Sequence, residues 1–321
     1  MHFLRKVIVL PIALIAACIA AAYSMRNPER ADLDSAARQG VPGKFVTLGD
    51  GVTHYDVAGP DTGQRVMLVH GFSVPAYIWD STVTALTGAG FRVARYDTYG
   101  RGWSDRPDVP YDAALFDRQL AALLDSAGMR APVHVVGLSM GGWVSATFAG
   151  RHPGRVRSLT LVDPIASRRD ALPAPLRAPL LGPALWQTLA VPGMAEGQSG
   201  DFHEPARFPD WADRYRVQMR YRGFGRALRS TITALAAADV PEVYRRVGRQ
   251  QTPVLLVWGR EDRVVPFALS DSVRRWIPRA EFRPVQGAGH LPQFERAAVV
   301  NPIVVAFLRA HTGGALPSTD R

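Results

Sequence analysis

The stretch VVGLSMGGWV (135–144) places Ser139 at a glycine-flanked turn between two runs of apolar residues. The residues before it are β-branched, as in a buried strand, and those after it are small and apolar, as in a buried helix. Ser139 thereby fits the pattern G-x-S-x-G, in which a serine occupies a sharp turn from strand to helix. The glycines lack a Cβ atom and let strand and helix approach closely, while the hydroxyl projects clear of the sheet. The pattern predicts a nucleophile, and the alternative is a serine that only completes a tight turn.

A serine hydroxyl needs a neighbouring base to become a useful nucleophile. Asp262 follows the buried run VLLVWG (254–259), and His290 lies in a glycine-rich loop before the last predicted helix. In proteins with this turn the partners follow in the order serine, acid, histidine, and an open α/β sheet gathers its site at the carboxyl ends of its strands. We therefore predict a triad in which His290 takes and returns the proton of Ser139 and Asp262 orients the imidazole.

Two backbone N–H groups are candidates for an oxyanion hole. One belongs to Met140, directly after the nucleophile, and the other to Phe72 in the loop LVHGFSVP (68–75), after the third predicted strand. Loss of one such donor raises the barrier by about 3–4 kcal/mol. We expect His70 in this loop to shape it through hydrogen bonds rather than to titrate.

Other polar residues near these motifs leave alternatives open. Asp163 follows the sixth predicted strand and Glu261 precedes Asp262, so either could be the acid of the triad instead. The turn DTYGRGWSD (97–105), which contains Asp97, Arg101 and Asp105, is expected to form a buried polar brace near the site.

Short β-type runs alternate with helical segments along most of the chain. The runs cover 44–48, 52–57, 65–70, 91–96, 132–137, 157–162, 253–258 and 281–285, and helices are predicted at 75–88, 111–127, 141–151, 266–276 and 293–310. Several runs are continuously apolar, as in strands covered on both faces. The hairpin signal Asp50-Gly51 indicates that the sheet opens antiparallel before it continues parallel. The pattern predicts an α/β fold with a mostly parallel eight-stranded sheet flanked by helices, built from residues 44–162 and 241–312.

Residues 163–240 interrupt this alternation with many prolines and aromatic residues. We predict a helical cap over the site, followed at the far end of the chain by a flexible tail, 313–321. Five apolar residues of the cap are candidates for an acyl pocket: Trp186, Met194, Trp211, Tyr215 and Met219. Three of them recur at helical spacing, so the alternative is that this stripe only packs the cap. The many arginines of the cap could contact anionic lipid headgroups or form an ordinary solvated face.

The N-terminus reads as a targeting segment. Arg5 and Lys6 precede an apolar run that extends to Tyr23, so residues 1–23 are predicted to be a signal anchor or a signal peptide. A third possibility is a lipoprotein signal with Cys18, the single cysteine, as the lipidated residue. All three place the rest of the chain outside the cytoplasm, with the membrane as a partner if the segment remains. Residues 24–43 are polar and are predicted to be a tether.

Composition narrows the classes of function. The chain has 321 residues, of which 47% are hydrophobic, with a net charge of +10 that scattered arginines carry. This is an ordinary globular composition, and nothing in the sequence indicates nucleic-acid binding. Clusters with metal-ligand spacing are lacking, so neither a metal nor a cofactor is expected. The sequence does not indicate an oligomeric state.

Taken together, these motifs resemble those of the α/β-hydrolase superfamily over residues 44–311. The resemblance is carried by HGF (70–72), YDTYGRGWSDRP (96–107), GLSMGG (137–142), LVDP (161–164), GREDRVVP (259–266) and GAGHLPQFE (287–295). Within the superfamily the chain looks most like membrane-associated esterases of the monoacylglycerol lipase kind. Haloalkane dehalogenases and epoxide hydrolases of this fold use an aspartate at the turn, so Ser139 argues against both.

The resemblance implies a serine hydrolase that cleaves apolar carboxylic esters, such as monoacylglycerols or short- to medium-chain esters, through an acyl-enzyme intermediate. The same triad also serves C–C bond hydrolysis, thioester hydrolysis and cofactor-free peroxidase chemistry, and a fold alone does not separate them. A binding protein with a silent hydrolase fold is a further alternative, but Ser139 and His290 are both present.

Overall fold

The computed structural model describes residues 14, 17–129, 132–167, 171–179 and 181–313. Eight strands of these residues form one sheet in the order β1-β2-β4-β3-β5-β6-β7-β8. The strands are β1 Lys44–Leu48, β2 Gly51–Ala58, β3 Arg65–Val69, β4 Arg92–Tyr96, β5 Val133–Leu138, β6 Val156–Val162, β7 Val254–Gly259 and β8 Glu281–Val285. β2 pairs antiparallel with β1 and β4, and the other neighbours pair parallel. The predicted strands, the antiparallel start and the fold class are confirmed.

Helices cover both faces of the sheet and build the cap. Around the sheet lie α2 Asp80–Gly88, α3 Ala113–Ser126, α4 Met140–Arg151, α10 Val240–Gly248, α11 Ser270–Trp276, α12 Pro292–Glu295 and α13 Ala297–Ala310. The cap holds α5 Ala174–Arg177, α6 Leu181–Leu185, α7 Met194–Gly197, α8 Trp211–Met219 and α9 Phe224–Ala237. Residues 17–26 form α1 before the first strand.

Alternating side chains of the central strands enter two separate apolar layers. In β3, Met67 and Val69 belong to one buried cluster, whereas Val66 and Leu68 belong to the other. Successive strand residues point to opposite faces, so a strand with a layer on each side must be apolar throughout. This is why the predicted runs lack polar alternation.

Sequence reasoning missed α10. This helix packs against α4 and α11, and the buried hydroxyl of Tyr244 donates to the carbonyl of Ile165 at 2.7 Å. A signal was present, because the Asp239 side chain accepts a hydrogen bond from the N–H of Glu242 at 3.1 Å and proline stands in the first turn. An acid at the N-cap and a proline at the start of a helix are common features.

The segment predicted as a tether is docked on the cap over part of its length. Residues 27–32, here called the strap, lie beside the N-terminal end of α9. The Glu29 carboxylate accepts hydrogen bonds from the N–H groups of Gly223 at 2.6 Å and Gly225 at 2.7 Å. These N–H groups have no partner within the helix, and an anion at a helix N-terminus is also favoured by the helix dipole.

Most of the predicted signal segment, 1–23, falls outside the described residues, as does most of the predicted tail, 313–321. Among the helices that the structure describes, none is both long and apolar enough to cross a membrane. Cys18 lies in α1 and is exposed. Export and membrane attachment therefore stay predictions.

Candidate active site

Ser139 occupies a strained turn between β5 and α4. Its backbone has φ 54° and ψ −117°, a region that residues other than glycine seldom adopt. The neighbouring glycines are required by close contacts: a Cβ atom on Gly137 would lie 2.3 Å from the carbonyl oxygen of Gly141, and one on Gly141 would lie 2.2 Å from that of Val69. The turn therefore has the geometry that the pattern G-x-S-x-G predicts.

His290 and Asp262 form a buried hydrogen-bonded pair. Nδ1 of His290 lies 2.7 Å from one carboxylate oxygen of Asp262. The other oxygen accepts from the N–H groups of Val264 at 2.7 Å and Val265 at 2.9 Å. A carboxylate only accepts, so Nδ1 carries the proton of the pair and Nε2 is left as the acceptor. This is the tautomer that a general base for a serine needs.

The structure does not join Ser139 to this pair. Within the described residues, the Ser139 hydroxyl forms no hydrogen bond. The predicted hydrogen bond between Ser139 and His290 is therefore not formed in this structure. Catalytic hydrogen bonds are often long without substrate and tighten when it binds. What the fold supplies is the common location, since Ser139, Asp262 and His290 follow β5, β7 and β8 at the same edge of the sheet.

The two alternative acids have other partners. Asp163 is fully buried and accepts a hydrogen bond from the N–H of Gly259 at 2.8 Å. Burial and the neighbouring charge of Asp262 raise the pKa of Asp163 well above its usual range, which favours the neutral form of this carboxyl. Glu261 accepts from the N–H of Ala288 at 3.0 Å. Among the three acids, Asp262 is the one that the structure hydrogen-bonds to His290.

The two predicted oxyanion donors lie close to the turn. Neither the N–H of Phe72 nor that of Met140 donates to an acceptor in the part of the chain that the structure describes. Gly71 approaches the turn so closely that a Cβ atom on it would lie 3.4 Å from the Cβ of Ser139. Both N–H groups are therefore available to a substrate oxygen.

The neutral ring of His70 holds this loop in place through two hydrogen bonds. Its Nε2 accepts from the N–H of Thr98 at 2.9 Å, so Nδ1 carries the proton and donates to the carbonyl of Gly71 at 2.9 Å. Burial lowers the pKa of His70 to about 4. The ring thus links the loop after β3 to the turn after β4 without titrating near neutral pH.

The predicted acyl-pocket residues lie within or beside the packed interior of the cap. Trp186, Trp211, Tyr215 and Met219 are buried, and Met194 is half-buried. The indole N–H of Trp186 donates to the carbonyl of Gly225 at 2.8 Å. Trp211 packs edge-on against Tyr77, with ring centroids 5.5 Å apart. These contacts agree with the packing interpretation of the stripe, and substrate contact stays a prediction.

The cap holds the loop that carries His290 (286–291) through Glu295, whose role the sequence did not reveal. Glu295 is buried and accepts from the N–H groups of Glu204 and Gly289, both at 2.7 Å. In addition, the N–H of His290 donates to the carbonyl of Asp201 at 2.7 Å. Residues 201–204 of the cap therefore hold the backbone of the loop that carries His290.

Comparisons with known proteins agree with this architecture. A family described as alpha/beta hydrolase fold matches residues 64–297. A 2-hydroxy-6-oxononadienedioate/2-hydroxy-6-oxononatrienedioate hydrolase from Cupriavidus pinatubonensis is 28% identical over 275 residues, which cover 83% of this chain and 94% of that protein. A non-heme chloroperoxidase from Streptomyces lividans is 27% identical over 282 residues, with 83% and 99% covered. A solved meta-cleavage product hydrolase from Pseudomonas fluorescens superposes with a TM-score of 0.69 at 26% identity, with 84% and 98% covered.

The chain therefore belongs to the alpha/beta hydrolase fold family. The relatives named above carry other activities, so a particular likeness to monoacylglycerol lipases is not shown. The family leaves the substrate to be argued from the site.

Proposed function

We propose that the protein is a serine hydrolase that cleaves esters of apolar carboxylic acids through an acyl-enzyme intermediate. The observation that carries this proposal is the hydrogen-bonded pair of His290 and Asp262 at the same sheet edge as the strained Ser139. A binding protein with this fold would not require a base of this tautomer or two free N–H groups beside the serine.

The site residues have defined steps in this reaction. Nε2 of His290 takes the proton of Ser139 as the serine oxygen bonds to the substrate carbonyl carbon. The electron pair of the carbonyl moves to its oxygen, which the N–H groups of Phe72 and Met140 stabilise. The alcohol leaves with the proton from His290, and a water molecule then releases the acid by the same steps in reverse.

The buried side chains of the cap near the site are largely apolar, which supports an apolar acyl group. Five cap arginines already have carboxylate partners: Arg207, Arg214, Arg216, Arg222 and Arg226. Phe202 and Trp211 of the cap form an apolar cluster with Phe294 of α12, which follows the loop of His290. A monoacylglycerol or a short- to medium-chain ester fits this environment.

Hydrolysis of a C–C bond is the second candidate, and the comparisons favour it. The relative from Cupriavidus pinatubonensis is named as a hydrolase of 2-hydroxy-6-oxononadienedioate and 2-hydroxy-6-oxononatrienedioate, and the solved protein from Pseudomonas fluorescens as a meta-cleavage product hydrolase. Thioester hydrolysis would use the same residues.

The test is hydrolysis of p-nitrophenyl esters of increasing acyl length by the full chain, with Ser139→Ala as the control. We expect turnover that peaks at short or medium acyl chains and disappears in the variant. The absorbance of a 2-hydroxy-6-oxo-dienoate reports its consumption. If the folded chain consumes this compound but leaves every ester intact, the second candidate replaces the ester proposal.

A further inference from the structure

Arg101, in the turn after β4, is a buried cation without an acidic partner. Its side chain is 0% exposed. Among the described residues, no carboxylate forms an ion pair with it, and its hydrogen bonds go to carbonyl and hydroxyl oxygens. An unpaired buried charge is strongly unfavourable for stability. A neutral residue at position 101 would therefore make the fold more stable, which indicates that the charge serves the function.

The guanidinium contacts both residues of the predicted oxyanion hole. Its Nε donates to the carbonyl of Phe72 at 2.7 Å, and Nη2 lies 4.0 Å from the sulfur of Met140. Nη2 also donates to the hydroxyl of Thr231 in the cap at 2.9 Å, and Nη1 donates to the carbonyl of Tyr99 at 3.1 Å. Arg101 therefore contacts both residues whose N–H groups are the proposed oxyanion donors.

The surroundings keep the group charged. Three aromatic rings lie 5.5–5.9 Å from the guanidinium carbon, those of Phe72, Tyr111 and Phe116, and ring faces attract cations. Burial lowers the pKa of Arg101 to about 10, which leaves the side chain protonated at neutral pH. The positive charge is thus present throughout the reaction.

A neighbouring contact shows that holding this loop does not itself require a charge. The neutral amide of Gln218 donates to the next carbonyl of the loop, that of Ser73, at 2.8 Å, and accepts from the N–H of Gly102 at 2.9 Å. Gln218 belongs to α8 of the cap. Arg101 and Gln218 therefore hold consecutive carbonyls, and the difference between them is the charge.

We propose that Arg101 is a positioning residue whose positive charge supports the oxyanion that forms at the N–H groups of Phe72 and Met140. The proposal rests on the proposed function. When Ser139 bonds to the substrate carbon, the carbonyl pair moves to oxygen and the serine proton moves to His290. Arg101 exchanges no proton, and the oxyanion becomes the counter-charge that the resting protein lacks.

The test separates charge from hydrogen bonding with two variants. Arg101→Lys keeps the charge and loses the planar fork of donors, whereas Arg101→Gln keeps a donor and loses the charge. Thr231→Val is the matched control, because it removes the contact between Arg101 and the cap and leaves the charge in place. The measurement is the second-order rate constant for reaction of Ser139 with a fluorophosphonate, together with kcat and KM on the best ester and a melting curve for each variant.

We expect Arg101→Gln to slow phosphonylation and kcat about 100-fold at unchanged KM, as for loss of one oxyanion donor. Arg101→Lys should stay within about tenfold and Thr231→Val within about threefold of the original chain, on the same scale.

Equal losses in the Lys and Gln variants, or a loss confined to KM, would overturn the role of the charge. If Arg101→Gln does not melt cooperatively, Arg101→Met takes its place. An original chain that does not react with the probe overturns the proposed function as well, whereas a reactive chain and an equally reactive Gln variant overturn only the role of Arg101.

Discussion

At the scale of single residues, two neighbouring carboxyl groups are distinguished by their surroundings. Asp262 is hydrogen-bonded to His290, whereas burial and the charge of Asp262 raise the pKa of Asp163. An asparagine at 163 can still accept from the N–H of Gly259, so we expect Asp163→Asn to keep kcat/KM within about tenfold. Asp262→Asn should lower kcat by about 10⁴, as the equivalent change does in a well-studied triad, because the wrong imidazole tautomer is favoured. Ester hydrolysis by the two variants checks this, and the reverse order of losses would make Asp163 the acid.

The residues that the sequence revealed are those whose role is local. Ser139 is marked by its flanking glycines, and Asp262 and His290 by their positions directly after strands. The contact of Arg101 with Phe72 could not be predicted, because it depends on loops 29 residues apart in sequence and on a helix of the cap. The turn that contains it was expected to be a polar brace, but a brace does not imply an unpaired charge.

At the scale of elements, the strap acts as the missing cap of α9. Glu29 supplies charge-assisted acceptors to two N–H groups of that helix and to the side-chain amide of Gln187 at 2.8 Å. One such bond contributes about 1.5–3 kcal/mol, so we expect Glu29→Ala to lower the free energy of unfolding by at least about 2 kcal/mol and to speed hydrogen exchange in α9. Asp32→Ala is the control, because Asp32 forms only an exposed pair with Arg222 and should change stability by less than about 1 kcal/mol. Equal effects of the two variants would exclude a capping role.

The strap also shows where reading elements from sequence fails. The strands and the core helices other than α10 could be predicted to within a few residues, because each one depends on its own pattern of apolar side chains. Residues 24–43 lack such a pattern, so the sequence predicts a tether, and the docking of Glu29 depends on N–H groups 194 and 196 residues away. The start of α10 could have been predicted, because Asp239 at its N-cap and the proline in its first turn are visible in the sequence.

At the scale of the whole molecule, His54 connects three parts of the core through one ion pair. Its Nδ1 lies 2.8 Å from Asp97, and its Nε2 lies 2.8 Å from the carbonyl of Pro42. Asp97 in turn accepts from the N–H groups of Ala76, at 2.8 Å, and Trp103, at 2.9 Å. Both ring nitrogens face acceptors, so the imidazolium satisfies both. The pair ties β2 to Ala76, directly after the loop 68–75, and to the turn after β4.

This pair predicts a pH dependence of stability. Although burial opposes the charged ring, the hydrogen bond and the charge of Asp97 raise the pKa of His54 above its ordinary value of 6.5. The stabilisation is therefore fully present below about pH 6.5 and is lost as the pH rises through the pKa of the folded protein. We expect the difference in unfolding free energy between the original chain and His54→Gln to be largest near pH 5.5 and to shrink by pH 9, as measured with denaturant. A difference that does not vary over this range would contradict the ion pair.

The attachment of the strap also determines how load enters the molecule. The first backbone bonds that the chain makes to the body after α1 are those of Arg30 and Ala31, at 2.8 and 3.0 Å from the carbonyl of Arg220. Tension applied at the N-terminus is thus borne by the cap before it reaches the sheet. A chain shortened past Asp32 leaves the N–H groups of Gly223 and Gly225 without their acceptor. If the N-terminus is held at a surface, the strap transmits tension first to the cap and only then to the sheet.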